Sequence, residues 1–283
     1  MRLFAALIPS RPSLAAALCA LRSRAERAHT RMSSSSSLPV AAVCQMTATP
    51  DKEANFSAGS RLVEQAKEGG ACMVFLPEGL DYIGSSRDET LHLSESLEVT
   101  LSAATLTWPG ELVSVYRKAH LFDVELTSKG VSLKESAFTI PGPRLVPPVQ
   151  TPIGKVGLGV CYDLRFPELS SALQRHGAEI LTYPSAFTVA TGTAHWEVLL
   201  RARAIETQCF VLAAAQVGAH HAKRTSFGHA LAVDPWGEVI GDCGGSDAGL
   251  TLVQIDLQRL RDVRRDMPVQ RHRRDDRFYC SLD

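Results

Sequence analysis

The chain has 283 residues, of which 30 are basic and 30 acidic, so its formal net charge is zero. A neutral balance gives no general electrostatic reason to expect a nucleic-acid partner. Seven cysteines, an odd number with no Cys-x-x-Cys pair, argue against a disulfide framework and against a zinc site, and they favour a reduced compartment.

Residues 1–32 differ in composition from the rest of the chain. Six arginines and a single acid, Glu26, surround a short apolar run at 13–21. An arginine-rich, acid-poor leader predicts a mitochondrial transit peptide, with a disordered leader as the alternative, and the run is too short to span a bilayer. A Ser-rich linker follows at 33–37. Translation from Met32 would give a cytosolic form, so we predict a mitochondrial and cytoplasmic protein without a membrane partner.

From residue 38 onward the pattern alternates between strands and helices. The predicted strands are 39–46, 72–76, 111–115, 155–160, 179–183, 209–215, 227–233, 238–240 and 250–255. The predicted helices are 51–67, capped by Asp51, then 167–174, with Pro167 in its first turn, and 195–207. This alternation predicts one mixed α/β domain at 38–274, followed by an atypical tail at 275–283.

Three polar side chains directly follow predicted strands. Glu78 follows the strand at 72–76, Lys118 follows 111–115, and Cys161 follows 155–160. In α/β sheets, ligands bind at the carboxyl ends of the strands. A Cys nucleophile needs a base for its proton and a cation or N–H pair for the developing oxyanion, and these residues supply the nucleophile, the base and the cation.

Cys161 lies where a strand turns into a helix. Backbone N–H groups and the positive end of the helix there are expected to lower the pKa of its thiol. The alternative is a small buried cysteine without chemistry, because free cysteines are among the most buried residues.

The motifs around these residues resemble those of the nitrilase superfamily, the Glu-Lys-Cys carbon–nitrogen hydrolases. They are Leu-Pro-Glu at Glu78, Tyr-Arg-Lys-Ala-His-Leu-Phe-Asp at Lys118, and Cys-Tyr-Asp-Leu-Arg-Phe-Pro-Glu from Cys161. The resemblance implies a nitrilase-type α-β-β-α sandwich. It also implies that Glu78 is the general base, Lys118 the oxyanion-stabilising lysine and Cys161 the nucleophile.

The resemblance suggests roles for further residues. The backbone N–H of Tyr162 would join Lys118 in holding the oxyanion. Glu135, or else Glu125, would match a second family glutamate. Candidate substrate-binding residues are Arg165, Phe187 and Thr188.

Other polar residues have structural interpretations. His120 and Asp123 are expected to fix the loop of Lys118, although a Cys-His dyad is an alternative for His120. Asp163 is expected to be structural, whereas Arg165 could pair with it or hold a substrate carboxylate. His195 and Glu197 are expected to pack and form hydrogen bonds.

One segment departs from the family pattern. Around residues 95–115 the chain lacks the sequence expected for a helix and one or two strands, roughly 30–40 residues by usual element lengths. Loss of a central strand exposes backbone donors and apolar area, so this form is expected to fold poorly if the missing strand is central.

The resemblance implies a thiol amidase that hydrolyses deaminated glutathione to 2-oxoglutarate and cysteinylglycine, a metabolite-repair reaction, without metal or other cofactor. The partners expected are a small-molecule amide substrate and a second subunit in a homodimer. Two alternatives remain: an omega-amidase acting on dicarboxylate amides, and an inactive variant that only associates with full-length subunits.

Overall fold

The structure is a computed structural model that describes residues 37–94, 103–107, 112–126, 131–275 and 278–279. The predicted transit peptide at 1–32 lies outside these residues, as do most of the linker at 33–37 and most of the tail at 275–283. Those assignments stay predictions.

The described residues form a series of strands and helices. The strands are β1 (Val40–Met46), β2 (Met73–Phe75), β3 (Ala103–Thr107), β4 (Leu112–Arg117), β5 (Asp123–Leu126), β6 (Val131–Lys134), β7 (Val149–Thr151), β8 (Gly154–Leu158), β9 (Ile180–Thr182), β10 (Phe210–Ala213), β11 (Ala215–His221), β12 (Arg224–Phe227), β13 (Leu231–Val233), β14 (Val239–Asp242) and β15 (Gly249–Gln254). The helices are α1 (Lys52–Glu68), α2 (Arg87–Leu93), α3 (Pro167–Arg175), α4 (Val189–Thr207), α5 (Leu257–Asp266) and α6 (Val269–His272).

Two large sheets organise the fold. The first has the order β12–β11–β1–β15, and β2 also pairs with β1. In it, β1 runs parallel to β2 and β11 and antiparallel to β15. The second has the order β14–β13–β10–β9–β8–β7, with β8, β9 and β10 parallel. The strands β3 with β4, and β5 with β6, form two separate ribbons.

Alternate residues of β1 belong to two different cores. Ala41 and Val43 join the large core that includes side chains of the second sheet, α3 and α4. Ala42, Cys44 and Met46 join a smaller core with Leu62, Val63 and Ala66 of α1. This period of two is the pattern of a strand buried on both faces. The layers are therefore helix, sheet, sheet and helix, which confirms the predicted mixed α/β sandwich.

Two predicted strands are each divided between the sheets. The segment 209–215 forms β10 in the second sheet and the start of β11 in the first, while 227–233 ends β12 and contains β13. Gly228 and His229 both have positive φ, 83° and 58°, so an extended strand cannot continue through them. The chain thus crosses between the sheets at both points.

Helix α4 is longer than predicted and begins six residues earlier. Thr188 caps it through a hydrogen bond from the Thr191 backbone N–H, which is the standard role of a threonine before a first turn. The β-branched residues and Gly192 in its first turns weaken the sequence signal for a helix. Trp196 then anchors α4, because its indole N–H donates to His229 O at 2.7 Å.

The shortened segment leaves β2 with one partner. Within the described residues, β2 pairs with β1 and with no strand on its other edge. One of the family elements that lie in this region is nevertheless present, because β3 forms the first arm of a hairpin with β4. The described residues between β2 and β3 contain α2 and no strand, and residues 95–102 lie outside the described part of the chain, so the expected loss of a helix stays a prediction.

A pair of helical glycines gives a test of the packing between α4 and β12. A Cβ at Gly192 would collide with Phe227, whereas a Cβ at Gly59 of α1 would lie 3.9 Å from Leu80 Cδ1, an ordinary contact. Gly192→Ala should lower the free energy of unfolding by about 1–3 kcal/mol through overpacking. Gly59→Ala should raise it by roughly 0.5–1 kcal/mol through helix propensity. Urea unfolding measures both, and equal effects would contradict this packing.

Candidate active site

Glu78, Lys118 and Cys161 line one cavity, but they reach it from three different substructures. Glu78 follows β2 of the first sheet, Cys161 follows β8 of the second sheet, and Lys118 follows β4 of a separate ribbon. The expectation that all three follow strands holds. They do not share one sheet edge, however, because the site lies between the two sheets.

Lys118 is the centre of the charged network. Its ammonium lies 3.0 Å from Glu78 Oε1, and 3.0 and 2.8 Å from the two carboxylate oxygens of Glu135. The side chain is only 2% exposed. Burial alone would lower the pKa of Lys118, but the charges of Glu78, Cys161 and Glu135 raise it above the ordinary lysine value. Lys118 is therefore a fixed cation in the cavity wall.

Glu135 is the second glutamate that the geometry brings to Lys118. It begins a short 3-10 turn, Glu135–Ala137, and is buried rather than lying on the surface. Its Oε2 also accepts the Phe122 backbone N–H at 2.7 Å, which ties the turn to the loop after Lys118. Glu125, the alternative, is exposed on β5.

Glu78 is oriented by backbone contacts that the sequence did not indicate. Its Oε2 accepts the Ala186 backbone N–H at 3.2 Å, and the Gln216 amide donates to Glu78 O at 2.9 Å. Gly79, with a φ of 66°, turns the chain immediately afterwards. The Ala186 contact is made by a backbone N–H, which any residue type could supply, and the Gln216 contact is made by a side-chain amide far along the chain, so the sequence indicated neither.

Cys161 occupies a backbone conformation that few non-glycine residues adopt. Its φ is 46°, and its own N–H donates to Pro184 O at 3.0 Å. It starts a 3-10 turn, Cys161–Arg165, that precedes α3. A left-handed residue at a functional turn is maintained only where its surroundings hold it. The bond from the Cys161 N–H to Pro184 O and the bond from the Val160 N–H to Asp163 Oδ2 do so here.

The expected lowering of the Cys161 pKa is wrong. Burial, followed by the negative charge of Glu78, raises the pKa of the thiol to about 12, and Lys118 only partly offsets this. The helix α3 begins six residues later, after the 3-10 turn, so its N-terminus does not dominate. Cys161 therefore rests as a thiol, so any nucleophilic attack by its sulfur would require the loss of this proton.

Asp163 joins the cysteine turn to the lysine loop. It is fully buried and accepts from the Tyr116 hydroxyl at 2.8 Å, from the Val160 N–H at 3.0 Å, and from the His120 N–H at 3.0 Å. The structural interpretation of Asp163 is therefore confirmed. The His120 ring lies 2.7 Å from the same carboxylate and stacks on Phe166, so His120 fixes the loop of Lys118.

Other sequence-derived candidates have different positions. Arg165 contacts the His195 ring at 3.2 Å and lies over the rings of Tyr162 and Phe187, and no ion pair joins Arg165 to Asp163 among the described residues. Thr188 lines the cavity. The proposed oxyanion role of the Tyr162 N–H and the substrate contacts of Arg165 and Phe187 stay predictions.

Asp123 and Glu197 also form side-chain contacts. Asp123 accepts two hydrogen bonds from Ser136, next to Glu135, and so supports the lysine loop as expected. Glu197 pairs with Arg201 on the exposed face of α4.

No helix in the described residues is long and apolar enough to span a bilayer.

The cavity itself has a volume of about 740 Å³, which is within the usual range for a small-molecule site. A buried thiol, a carboxylate and an ammonium in one such cavity can perform acyl transfer through a covalent thioester.

Comparison with known proteins agrees with this chemistry. The carbon–nitrogen hydrolase family model matches residues 40–108 and 96–265. The chain belongs to this family. The two matched segments of this carbon–nitrogen hydrolase meet in the region that the sequence indicated as shortened.

Its curated relatives include the deaminated glutathione amidase of Homo sapiens, which is 50% identical and aligns over 89% of this chain and 87% of the human protein. The alignment spans 287 positions, which exceeds the 283 residues of this chain, although only 89% of the chain is aligned. Some positions are therefore gaps in this chain, where the human protein has residues without a counterpart.

Solved structures with the same fold include the NitFhit fusion protein of Caenorhabditis elegans. It is 42% identical with a TM-score of 0.76, over 85% of this chain and 66% of that one. Nit3 of Saccharomyces cerevisiae, a nitrilase superfamily member, is 27% identical with a TM-score of 0.72, over 86% of this chain and all of that one. This carbon–nitrogen hydrolase is therefore a member of the nitrilase superfamily.

The pKa of Cys161 can be tested through the ultraviolet absorbance of its thiolate, with Cys161→Ala as the reference that subtracts the other cysteines. Because the pKa is raised, the difference signal should not titrate between about pH 6 and 9. Glu78→Gln removes a charge that raises this pKa, so the signal should appear at lower pH. A wild-type midpoint near pH 8 or below would contradict the assignment.

Proposed function

We propose that this carbon–nitrogen hydrolase cleaves the amide bond of deaminated glutathione and releases 2-oxoglutarate and cysteinylglycine. The observation that carries the proposal is the contact of Lys118 with Glu78 and Glu135 in the cavity that also contains Cys161. The substrate is inferred from the names of the relatives, above all the human protein at 50% identity.

The first half of the reaction forms a thioester. Because the thiol pKa is high, Cys161 attacks the amide carbonyl as Glu78 accepts its proton. The C–S bond forms, and the carbonyl electrons move to an oxyanion held by the Lys118 ammonium and the Tyr162 N–H. Glu78 then gives its proton to the nitrogen, the C–N bond breaks, and cysteinylglycine leaves.

The second half hydrolyses the thioester. Glu78 accepts a proton from water as the water oxygen attacks the thioester carbonyl, and the same donors hold the second oxyanion. The C–S bond breaks, the proton returns to sulfur, and 2-oxoglutarate leaves as the acid product. Glu135 acts on Lys118, whose position it fixes through two short contacts.

The test is 2-oxoglutarate release from deaminated glutathione by the full chain and its variants. Cys161→Ala, Glu78→Gln and Lys118→Met should each lower turnover by several orders of magnitude, because each residue has a separate role in one step. Cys243→Ala, which alters a half-buried thiol after β14, should leave turnover unchanged and serves as the control.

Three outcomes would contradict this function. Normal turnover by Cys161→Ala would exclude the thioester route. Faster hydrolysis of a simple dicarboxylate omega-amide than of deaminated glutathione would favour the omega-amidase alternative. No release of product by a cooperatively folded wild-type chain would favour the inactive variant, in line with the absence of a second partner for β2 among the described strands.

A further inference from the structure

The cavity contains more basic side chains than the thioester route requires. Its acidic lining residues are Glu78 and Glu135, and both are bound to Lys118. Three other cations also line it: Arg87, Lys223 and Arg224. We call these three the rim cations, because Arg87 and Lys223 are exposed and Arg224 is half-buried.

Arg224 lies beside the group that orients the base. It is the first residue of β12, and its guanidinium reaches Ala186 O at 3.5 Å. The N–H of the same Ala186 donates to Glu78 Oε2. Ala186 thus contacts the Arg224 guanidinium through its carbonyl and the Glu78 carboxylate through its N–H, which ties this part of the rim to the segment that orients Glu78.

Arg87 also lines the cavity and also donates to a backbone carbonyl. It begins α2, and its Nε donates to Ala137 O at 3.2 Å. Ala137 ends the turn that carries Glu135. Each arginine is therefore attached to a backbone carbonyl of a segment that supports the reaction site, and each keeps guanidinium N–H groups beyond that single contact.

The rim cations have no anionic partner of their own. Among the described residues, none of the three forms an ion pair. The nearby Glu89 is held by the backbone N–H and the hydroxyl of Ser85, at 2.6 and 2.5 Å. Unpaired cations on a cavity wall are available to a ligand, and arginine forms strong charge-assisted bonds with carboxylates.

We propose that the rim cations bind a substrate carboxylate that lies away from the scissile amide, and that this contact selects anionic amides. The charge distribution separates the two regions. With Cys161 as a thiol, two glutamates and one lysine leave the reaction centre with an excess negative charge, which repels a carboxylate. The rim attracts it. This inference rests on the proposed function, since it specifies the substrate class of the same cavity.

Deaminated glutathione has two carboxylates, one on its 2-oxo acyl end and one on its glycine, and the experiment distinguishes them. Three ligands are compared: the compound itself, and two derivatives in which one or the other carboxylate is a carboxamide. Binding is measured by calorimetry on Cys161→Ala, which cannot turn the ligand over, with and without Arg224→Gln, Arg87→Gln or Lys223→Gln. Arg61→Gln on α1, outside the cavity, is the control.

Arg224→Gln and Arg87→Gln should each raise the dissociation constant of deaminated glutathione about 10–100-fold, the loss of one charge-assisted hydrogen bond. Lys223→Gln, which alters an exposed cation, should have a smaller effect. One carboxamide derivative should bind weakly and be insensitive to the rim substitutions, and this derivative identifies the carboxylate that the rim binds. Arg61→Gln should change nothing.

The proposal is overturned if the rim substitutions affect all three ligands equally, if they affect none, or if no ligand binds. The failure of the proposed function has a different signature. If binding depends on a ligand carboxylate but the wild-type chain releases no 2-oxoglutarate, the proposed reaction is contradicted and the role of the rim cations is not. Product release with the same KM for deaminated glutathione and for both carboxamide derivatives would contradict the role of the rim cations but not the reaction.

Discussion

A single buried ammonium holds the reaction site together. Lys118 is almost inaccessible, and two carboxylates from different parts of the fold lie within 3.0 Å of it. A buried charge is tolerated only when it is paired and hydrogen-bonded, so Lys118 requires both Glu78 and Glu135. Since Glu78 follows the first sheet and Glu135 begins a turn after β6, the ion network fixes the loop after β4 between them. Asp163 connects the same loop to the cysteine turn through Tyr116 and His120.

The charges that hold Lys118 also determine how the thiol reacts. Burial and, after it, the charge of Glu78 raise the Cys161 pKa, so very little thiolate is present at neutral pH even though Glu78 stabilises the lysine. In the proposed reaction, attack is therefore concerted with proton transfer to Glu78, which the Ala186 N–H already orients. In that proposal Lys118 has its full effect only when negative charge develops on the substrate oxygen, so the arrangement would stabilise the transition state more than the resting thiol.

The sequence was sufficient for local elements and for singling out candidate site residues that line one cavity. The Asp51 cap and the Pro167 start of α3 depend on neighbours in the chain, and both are present. Glu78, Lys118 and Cys161 were found because each stands in a distinctive motif. The preference for Glu135 over Glu125 agrees with the contacts of Lys118, although the spacing alone fitted neither.

What the sequence could not indicate depends on residues far apart in the chain. The division of 227–233 between two sheets goes with positive φ at Gly228 and His229, which no strand pattern reveals. The Cys161 pKa was misjudged because burial and Glu78, both set by tertiary packing, outweigh the local effect of a helix N-terminus. Likewise, Ala186 acts through its backbone, and Arg224 reaches the Ala186 carbonyl only because β11 and β12 return the chain to the cavity.

The measurement that tests the central role of Lys118 most directly is a double-mutant cycle on the free energy of unfolding, with Lys118→Met and Glu135→Gln alone and together. Lys118→Met should destabilise the fold by roughly 3–5 kcal/mol, because it leaves buried carboxylates without a cation. Adding Glu135→Gln neutralises one of them, so the double variant should be more stable than Lys118→Met alone. If instead the double variant loses the full sum of the two single effects, the two groups are independent and this account of the site is wrong.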